Sequence, residues 1–241
     1  MKLNFIYNRD RDVWCLLNKG PSSSLSSKPT EVYKIFSEKY KGNINEKTAS
    51  LFIDEYFLEN NINVDEVAKR YKKDFDKIGE KFIKIAEGIF GLSLKKDITV
   101  YLTINNRCPY SIEENYYFVY ISKDNQVRTS MHELWHFYTW YKFGLNNKYL
   151  SGSEYNDLKE ALTVLLNVKC GDLLPTGVID HGYTQHENLR NRILSLWKEK
   201  EDIDFVWNKI IEEKEIKEIT AASEDAKKNG TISGKIDDLI K

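Results

Sequence analysis

The sequence predicts an α+β fold that is mostly helical and contains one small sheet near the middle of the chain. Three observations support this prediction. Apolar residues recur at steps of three and four between residues 64 and 90, which indicates a helix with one buried face. Residues 97–105, DITVYLTIN, alternate apolar and polar side chains, as a half-buried strand does. Beyond residue 125 the pattern is helical again, with turn residues between the segments.

The first part of the chain is expected to form helices after a loop. Residues 20–29, GPSSSLSSKP, are Ser-rich, and Thr30 directly after them can cap a helix that runs to about Tyr40. A shorter amphipathic helix is expected over residues 46–60. The stripe over residues 64–90 then predicts one long helix, which would pack one face on the core.

The sheet is expected to contain a second, aromatic strand over residues 116–122, YYFVYIS. The connection NRCPYSIEE is too short for a helical crossover, so we expect the two strands to pair antiparallel. Residues 116–122 would then form an exposed edge of the sheet.

The second half of the chain is expected to be helical. Asp124 or Asn125 can cap a helix that ends at Gly144. Further helices are predicted over residues 153–169, over residues 185–200 and from Ile203 onward. The Ser-rich loop divides an N-terminal segment, residues 1–27, from a single domain, residues 28–241, with an N-terminal lobe to residue 144 and a helical lobe after it.

Composition narrows the class of protein. Lys+Arg 36 and Asp+Glu 37 nearly cancel, which argues against a nucleic-acid partner. The most apolar run, Ala161–Val168, is too short to cross a membrane, and the N-terminus lacks the apolar core of a signal peptide. The three cysteines, Cys15, Cys108 and Cys170, form no CxxC pair. We therefore expect a cytoplasmic protein with reduced thiols and no membrane partner.

The segment RTSMHELWHFYTWYKFG, residues 128–144, contains a potential metal site. Residues four apart on a helix lie on one face, so His132 and His136 can both present a ring nitrogen to one ion. Glu133 lies beside them and can act as general base toward a water that the metal activates. The alternative is a buried aromatic helix whose histidines are satisfied by hydrogen bonds.

Catalytic zinc usually has a third protein ligand, and the next helix offers Glu154, Asp157 and Glu160. We favour Glu160, because it begins the most apolar part of that helix, where an unpaired carboxylate would be costly. Amide hydrolysis also needs a hydrogen-bond donor for the oxyanion, and Tyr183 or His181 in DHGYTQHENL could supply it. Both could equally be surface residues, and His186 is expected to be one.

The order of these elements resembles the zincin metallopeptidases, and specifically the gluzincin type, in which a glutamate on the next helix is the third ligand. The resemblance covers roughly residues 64–169 and rests on HELWH and on KEAL, residues 159–162. Thermolysin-like members have Asn before that glutamate and Asp four residues after it, whereas this chain has Lys159 and Val164. Another group is therefore expected to orient the imidazoles.

The resemblance implies a zincin-like fold with the sheet before the HExxH helix. It also implies one Zn²⁺ per chain, held by His132, His136 and Glu160, with Glu133 as the base and Tyr183 or His181 as the oxyanion stabiliser. The chain is accordingly expected to be a zinc metallopeptidase that hydrolyses peptide or other amide bonds, with a peptide or protein substrate added along the sheet edge.

Two alternatives remain open from the sequence. The chain could be a regulatory protease with one specific cytosolic protein target. It could instead be a non-catalytic binding or scaffold domain whose metal site is structural or vestigial.

Overall fold

The computed structural model describes residues 1–18, 29–121 and 126–214, and in them the chain has the predicted α+β fold, mostly helical with one sheet. The sheet has four strands in the described residues, β1 (Leu3–Tyr7), β2 (Ile98–Thr103), β3 (Tyr110–Ser111) and β4 (Tyr116–Tyr120). Their order across the sheet is β1-β2-β4-β3.

The pairing of β2 with β4 differs from the prediction. These strands are parallel, with Val100 opposite Tyr117, so the expected antiparallel pair is wrong. The physical reason is that the connection contains β3, which runs back antiparallel to β4 and pairs on its outer side, and no helix is needed for the return. Residues 116–119 of β4 are buried between β2 and β3, so β4 is an inner strand and β3 forms the edge.

The N-terminal segment belongs to the sheet. β1 pairs parallel with β2, and Phe5 lies opposite Val100. The following helix, α1 (Arg9–Asn18), contacts β2 and the third helix. The predicted boundary at residue 27 falls within residues 19–28, outside the described residues, as does most of the Ser-rich loop. The division into two lobes stays a prediction.

The next helices are α2 (Glu31–Lys39), α3 (Glu46–Glu59), α4 (Val64–Asp76) and α5 (Gly79–Phe90). The Thr30 cap is confirmed, because its hydroxyl oxygen accepts from the Tyr33 amide at 3.2 Å. The single helix expected over residues 64–90 is wrong, since the chain turns at Ile78 between α4 and α5. Gly79 permits this turn, because a Cβ there would lie 2.6 Å from Phe75 Cε1.

The C-terminal half contains α6 (Gln126–Thr139), a π-helical turn (Trp140–Gly144), α7 (Gly152–Leu162), α8 (Val164–Lys169), α9 (Glu187–Glu199) and α10 (residues 203–214). The expected caps of α6 at Asp124 or Asn125 lie outside the described residues. α7 begins one residue earlier than predicted and is capped by Ser151. The helix predicted over residues 153–169 is interrupted at Thr163, which separates α7 from α8.

The core is formed around α6, which contacts α4, α5, β4 and α7. Trp135 is fully buried, and its ring meets the Phe90 ring edge-on at 5.0 Å between centroids. The Tyr138 ring stacks on Phe90 at 5.5 Å between centroids. Because α6 is enclosed on several sides, polar groups along it lie at low dielectric. Among the described helices, none has both the length and the hydropathy to cross a bilayer.

A buried carboxylate joins α1 to the end of β2. Asp12 Oδ1 accepts hydrogen bonds from Thr103 Oγ1 at 2.7 Å and from the Ile104 amide at 3.1 Å. Burial raises the pKa of Asp12 to about 6, although these hydrogen bonds oppose the shift. The stability of the fold should therefore depend on the protonation of Asp12.

Candidate metal centre

Three side chains predicted as metal ligands lie together between α6 and α7. His132 Nε2 lies 3.4 Å from Glu160 Oε2, and His136 Nε2 lies 3.3 Å from Glu160 Oε1. One potential ligand atom from each residue lies within 4.8 Å of the other two. The spacing of the histidines on α6 and the packing of α7 against that helix bring the group together.

The three side chains are grouped as the ligands of one metal ion would be. The two imidazole nitrogens approach different oxygens of Glu160, so this carboxylate faces both rings. Glu160 Oε2 and His136 Nδ1 are buried and have no hydrogen-bond partner within the described part of the chain. A buried oxygen without a partner is costly, and a cation at this position would remove that cost.

His132 is oriented from behind by Asp180. Its Nδ1 lies 2.7 Å from Asp180 Oδ2, which directs Nε2 toward Glu160. Burial alone would lower the pKa of His132, but the Asp180 and Glu160 carboxylates outweigh burial and raise the pKa to about 10. The carboxylates thus favour a positive charge at Nε2, which a proton or a metal ion can provide.

The pKa of His136 is shifted in the opposite direction to that of His132. It is 1% exposed, and burial, assisted by the Lys159 ammonium, lowers its pKa to about 3. The ring is therefore neutral at physiological pH and retains a lone pair for a metal. Burial alone would raise the pKa of Glu160, but the two imidazoles and Lys159 lower it, so this carboxyl group is ionised.

Glu133 lies beside the ligands on α6 and is 7% exposed. Its Oε2 has no hydrogen-bond partner among the described residues. Burial is the largest influence on this carboxyl and raises its pKa to about 7. A carboxylate with a pKa near neutrality can accept a proton and then release it, as a general base must.

Asp180 was not predicted from the sequence, and it orients one of the two imidazoles, that of His132. Its Oδ1 lies 2.8 Å from Thr163 Oγ1 and 3.2 Å from Arg190 Nη1. Its backbone amide donates to Asn167 Oδ1 at 2.7 Å, and the Asn167 amide donates back to its carbonyl oxygen at 2.8 Å. Asp180 directly precedes His181 in the loop singled out above, but nothing local in the sequence marks it as buried.

The two residues predicted as oxyanion stabilisers, His181 and Tyr183, are exposed, Tyr183 by 41%, and the Tyr183 ring lies 5.7 Å from the His186 ring. Partial burial raises the pKa of the Tyr183 hydroxyl and the Glu160 and Glu133 carboxylates raise it further, so this hydroxyl lies within electrostatic range of the cluster. The prediction that His186 is a surface residue is wrong, because it is 4% exposed and its Nε2 lies 3.0 Å from Asp157 Oδ1. The alternative ligands Asp157 and Glu154 have other partners, since Glu154 closes the cap at Ser151.

Lys159 and Tyr110, which the sequence did not indicate as site residues, form a pair that contacts the cluster. Lys159 is 4% exposed, and its Nζ lies 3.0 Å from Glu160 Oε1 and 2.6 Å from the Tyr110 hydroxyl. Tyr110 comes from the edge strand β3, and its ring lies 5.7 Å from the His136 ring. The pair joins the sheet edge to Glu160, a contact between distant parts of the sequence that local patterns do not reveal.

Comparison of the chain with protein-family models, with curated proteins and with solved structures finds no match. The site consists of two imidazoles, a facing carboxylate, an adjacent buried glutamate and a carboxylate that orients one imidazole.

Proposed function

We propose that this chain is a zinc-dependent peptidase of the gluzincin type, with His132, His136 and Glu160 as the ligands of one zinc ion. The observation that carries the proposal is the cluster of potential ligand atoms from these three residues, which all lie within 4.8 Å of one another. Two imidazoles and one carboxylate are the ligand set of many catalytic zinc sites, which keep a fourth position for water.

The proposed chemistry divides among named residues. Zinc, when bound, lowers the pKa of a water and polarises the scissile carbonyl. Glu133 takes the proton from that water and passes it to the leaving amine, and its raised pKa suits both transfers. Asp180 holds the Nδ1 proton of His132 and so leaves Nε2 as the ligand atom. The buried surroundings of α6 strengthen each of these interactions.

The proposed substrate is an extended peptide that adds to the free side of β3, the strand at the sheet edge nearest the site. This replaces the expectation that residues 116–122 form that edge. A cytoplasmic location is also proposed. Cys15, Cys108 and Cys170 are all unpaired, as is usual in a reducing compartment.

The first test is the zinc content of the purified protein, measured by elemental mass spectrometry on wild type and on Glu160→Ala. We expect about one zinc per wild-type chain and much less in the variant. Glu154→Ala is the matched control, because Glu154 is an acid on the same helix with a Ser151 partner. Absence of zinc from the wild type, even after zinc is offered and the excess removed, would refute the proposal.

Turnover is tested next with a broad peptide library and the variant Glu133→Gln. The variant should keep its zinc but lose activity by about 10²–10⁴-fold, the usual contribution of a positioned base. Cleavage of one cytosolic protein and of no library peptide would instead identify the regulatory protease. Equal turnover in wild type and Glu133→Gln would contradict the assigned role of Glu133.

A second candidate function, a non-catalytic binding or scaffold domain, is favoured by one observation. The ion pairs Lys159–Glu160 and His132–Asp180 let the buried charges neutralise one another in part without an ion. Such a domain would show no Glu133-dependent turnover, whether or not it binds zinc.

A further inference from the structure

Tyr110 occupies a position between the sheet edge and the metal ligands. β3 pairs with β4 on one side only, and no other strand pairs with its outer side among the described residues. The Tyr110 ring packs on α6, with centroids 5.7 Å from His136 and 6.3 Å from Phe137. A peptide added along β3 would therefore run past the Tyr110 side chain on its way across the ligands.

The hydrogen bond from Lys159 leaves the Tyr110 hydroxyl free to donate its own proton to another group. An ammonium can only donate, so the 2.6 Å contact between Lys159 Nζ and the Tyr110 oxygen makes that oxygen the acceptor. The hydroxyl proton is left to point elsewhere. A hydroxyl that accepts from a cation is also a stronger donor, because hydrogen bonds in a chain polarise one another.

The same ammonium contacts the ligand Glu160 at 3.0 Å, so Tyr110 and Glu160 are held by one nitrogen. Lys159 is 4% exposed and has limited room to move. The tyrosine hydroxyl is thus kept next to the proposed reaction centre by a buried, charged contact rather than by a mobile loop.

We infer that Tyr110 is a catalytic residue that donates a hydrogen bond to the carbonyl oxygen of the substrate as it becomes an oxyanion, with Lys159 as the residue that positions it. This inference rests on the proposed peptidase function. It places Tyr110 ahead of Tyr183 and His181 in that role. The Tyr183 hydroxyl interacts with the charges of Glu160 and Glu133, but Tyr183 is 41% exposed and His181 is exposed as well, whereas an oxyanion donor is most effective where water is excluded.

The test compares Tyr110→Phe with Tyr183→Phe. Phenylalanine keeps the ring that packs on His136 and Phe137 and removes only the hydroxyl. Tyr138→Phe is the matched control, because it removes a buried hydroxyl from α6 at a place where the ring stacks on Phe90. For each variant, zinc content, thermal unfolding, kcat and KM would be measured on the best library substrate.

Binding of two inhibitors built on that substrate adds a readout that does not depend on turnover. A peptide phosphonamidate copies the tetrahedral oxyanion, whereas a peptide thiol binds the metal alone. We expect Tyr110→Phe to keep its zinc, to lose about 10²–10³-fold in kcat with little change in KM, and to bind the phosphonamidate more weakly. Its affinity for the thiol should not change. Tyr138→Phe should match the wild type throughout.

Lys159→Met tests the positioning role. It should lower kcat in the wild-type background and have a smaller effect in the Tyr110→Phe background, because the two residues act as a pair. Additive losses would overturn that role.

The results distinguish a failure of the Tyr110 inference from a failure of the proposed peptidase function. An active wild type with an equally active Tyr110→Phe would overturn the Tyr110 inference alone, as would a large loss in Tyr183→Phe only. A wild type that binds zinc but cleaves nothing would overturn the peptidase function, and the Tyr110 inference with it.

Discussion

Replacement of Asp180 by Asn should weaken zinc binding through the tautomer of His132. Asp180 Oδ1 faces Arg190 Nη1 at 3.2 Å and Thr163 Oγ1 at 2.8 Å, and Oδ2 faces His132 Nδ1 at 2.7 Å. Because arginine only donates, the oxygen of an asparagine amide would take the Oδ1 place. Its NH₂ group would then face Nδ1 and require that nitrogen to be an acceptor.

The change at Nδ1 affects zinc binding because it determines whether Nε2 of His132 carries a proton. A neutral His132 that accepts at Nδ1 carries its proton at Nε2, the nitrogen 3.4 Å from Glu160 and the proposed zinc ligand. Binding zinc would then require the imidazole to change tautomer and lose the hydrogen bond behind it. Loss of such an outer partner costs about 10–100-fold in metal affinity, or about 1.4–2.7 kcal/mol.

The assay is a competition titration of zinc against a chelator of known affinity. The chain offers a matched control in Asp157, which contacts His186 Nε2 at 3.0 Å. Asp157→Asn removes the charge of a second Asp–His pair and should leave zinc affinity unchanged. Wild-type affinity in Asp180→Asn would refute the reasoning, and so would an equal loss in Asp157→Asn, which would indicate a general charge effect.

Three further predictions concern stability. Addition of zinc to about 100 times its Kd should stabilise the wild type by about 2.7 kcal/mol in thermal unfolding, and a similar gain in Glu160→Ala would contradict the ligand assignment. Burial raises the pKa of Asp12 from 3.8 to about 6, so the folded state binds this proton more tightly than the unfolded state does. As the pH rises from 3.8 to about 6, the free energy of unfolding should therefore fall by about 3 kcal/mol. Denaturant titrations should show this slope in the wild type and not in Asp12→Asn. Trp135→Ala should cost about 3–5 kcal/mol in the same titrations, because Trp135 is fully buried against Phe90, and a cost below 1 kcal/mol would refute its place in the core.

Local signals in the sequence located most helices but missed two interruptions. The Thr30 cap depends on neighbouring residues only, and it is found where the sequence predicted it. The turn at Ile78 was missed because apolar residues continue with helical spacing through it, and only the approach of Phe75 to Gly79 explains it. The break at Thr163 is equally invisible to periodicity, because Thr163 is held by partners on other elements.

In the sheet and in the site, too, features set by neighbouring residues were predicted, whereas features set by contacts between distant elements were not. The spacing of His132 and His136 is a local property of one helix, and Glu160 was predicted from the apolar residues around it on the next. Asp180 and Tyr110 are distant from this group in the sequence, and their contacts with His132 and Lys159 arise only when the helices and β3 pack together. Parallel pairing of β2 and β4 is likewise set by the path of the intervening strand and not by either strand alone.

The order of the site residues along the chain has a consequence for biosynthesis. Proteins are made from the N-terminus, and α6 and α7 leave the ribosome before the loop that carries Asp180 and before α9, which carries Arg190. A partly made chain thus has all three proposed ligands but lacks the carboxylate that fixes His132 and the guanidinium that holds that carboxylate. If the proposed zinc site forms, we expect a chain truncated before Asp180 to bind zinc more weakly than a chain completed at least as far as α9.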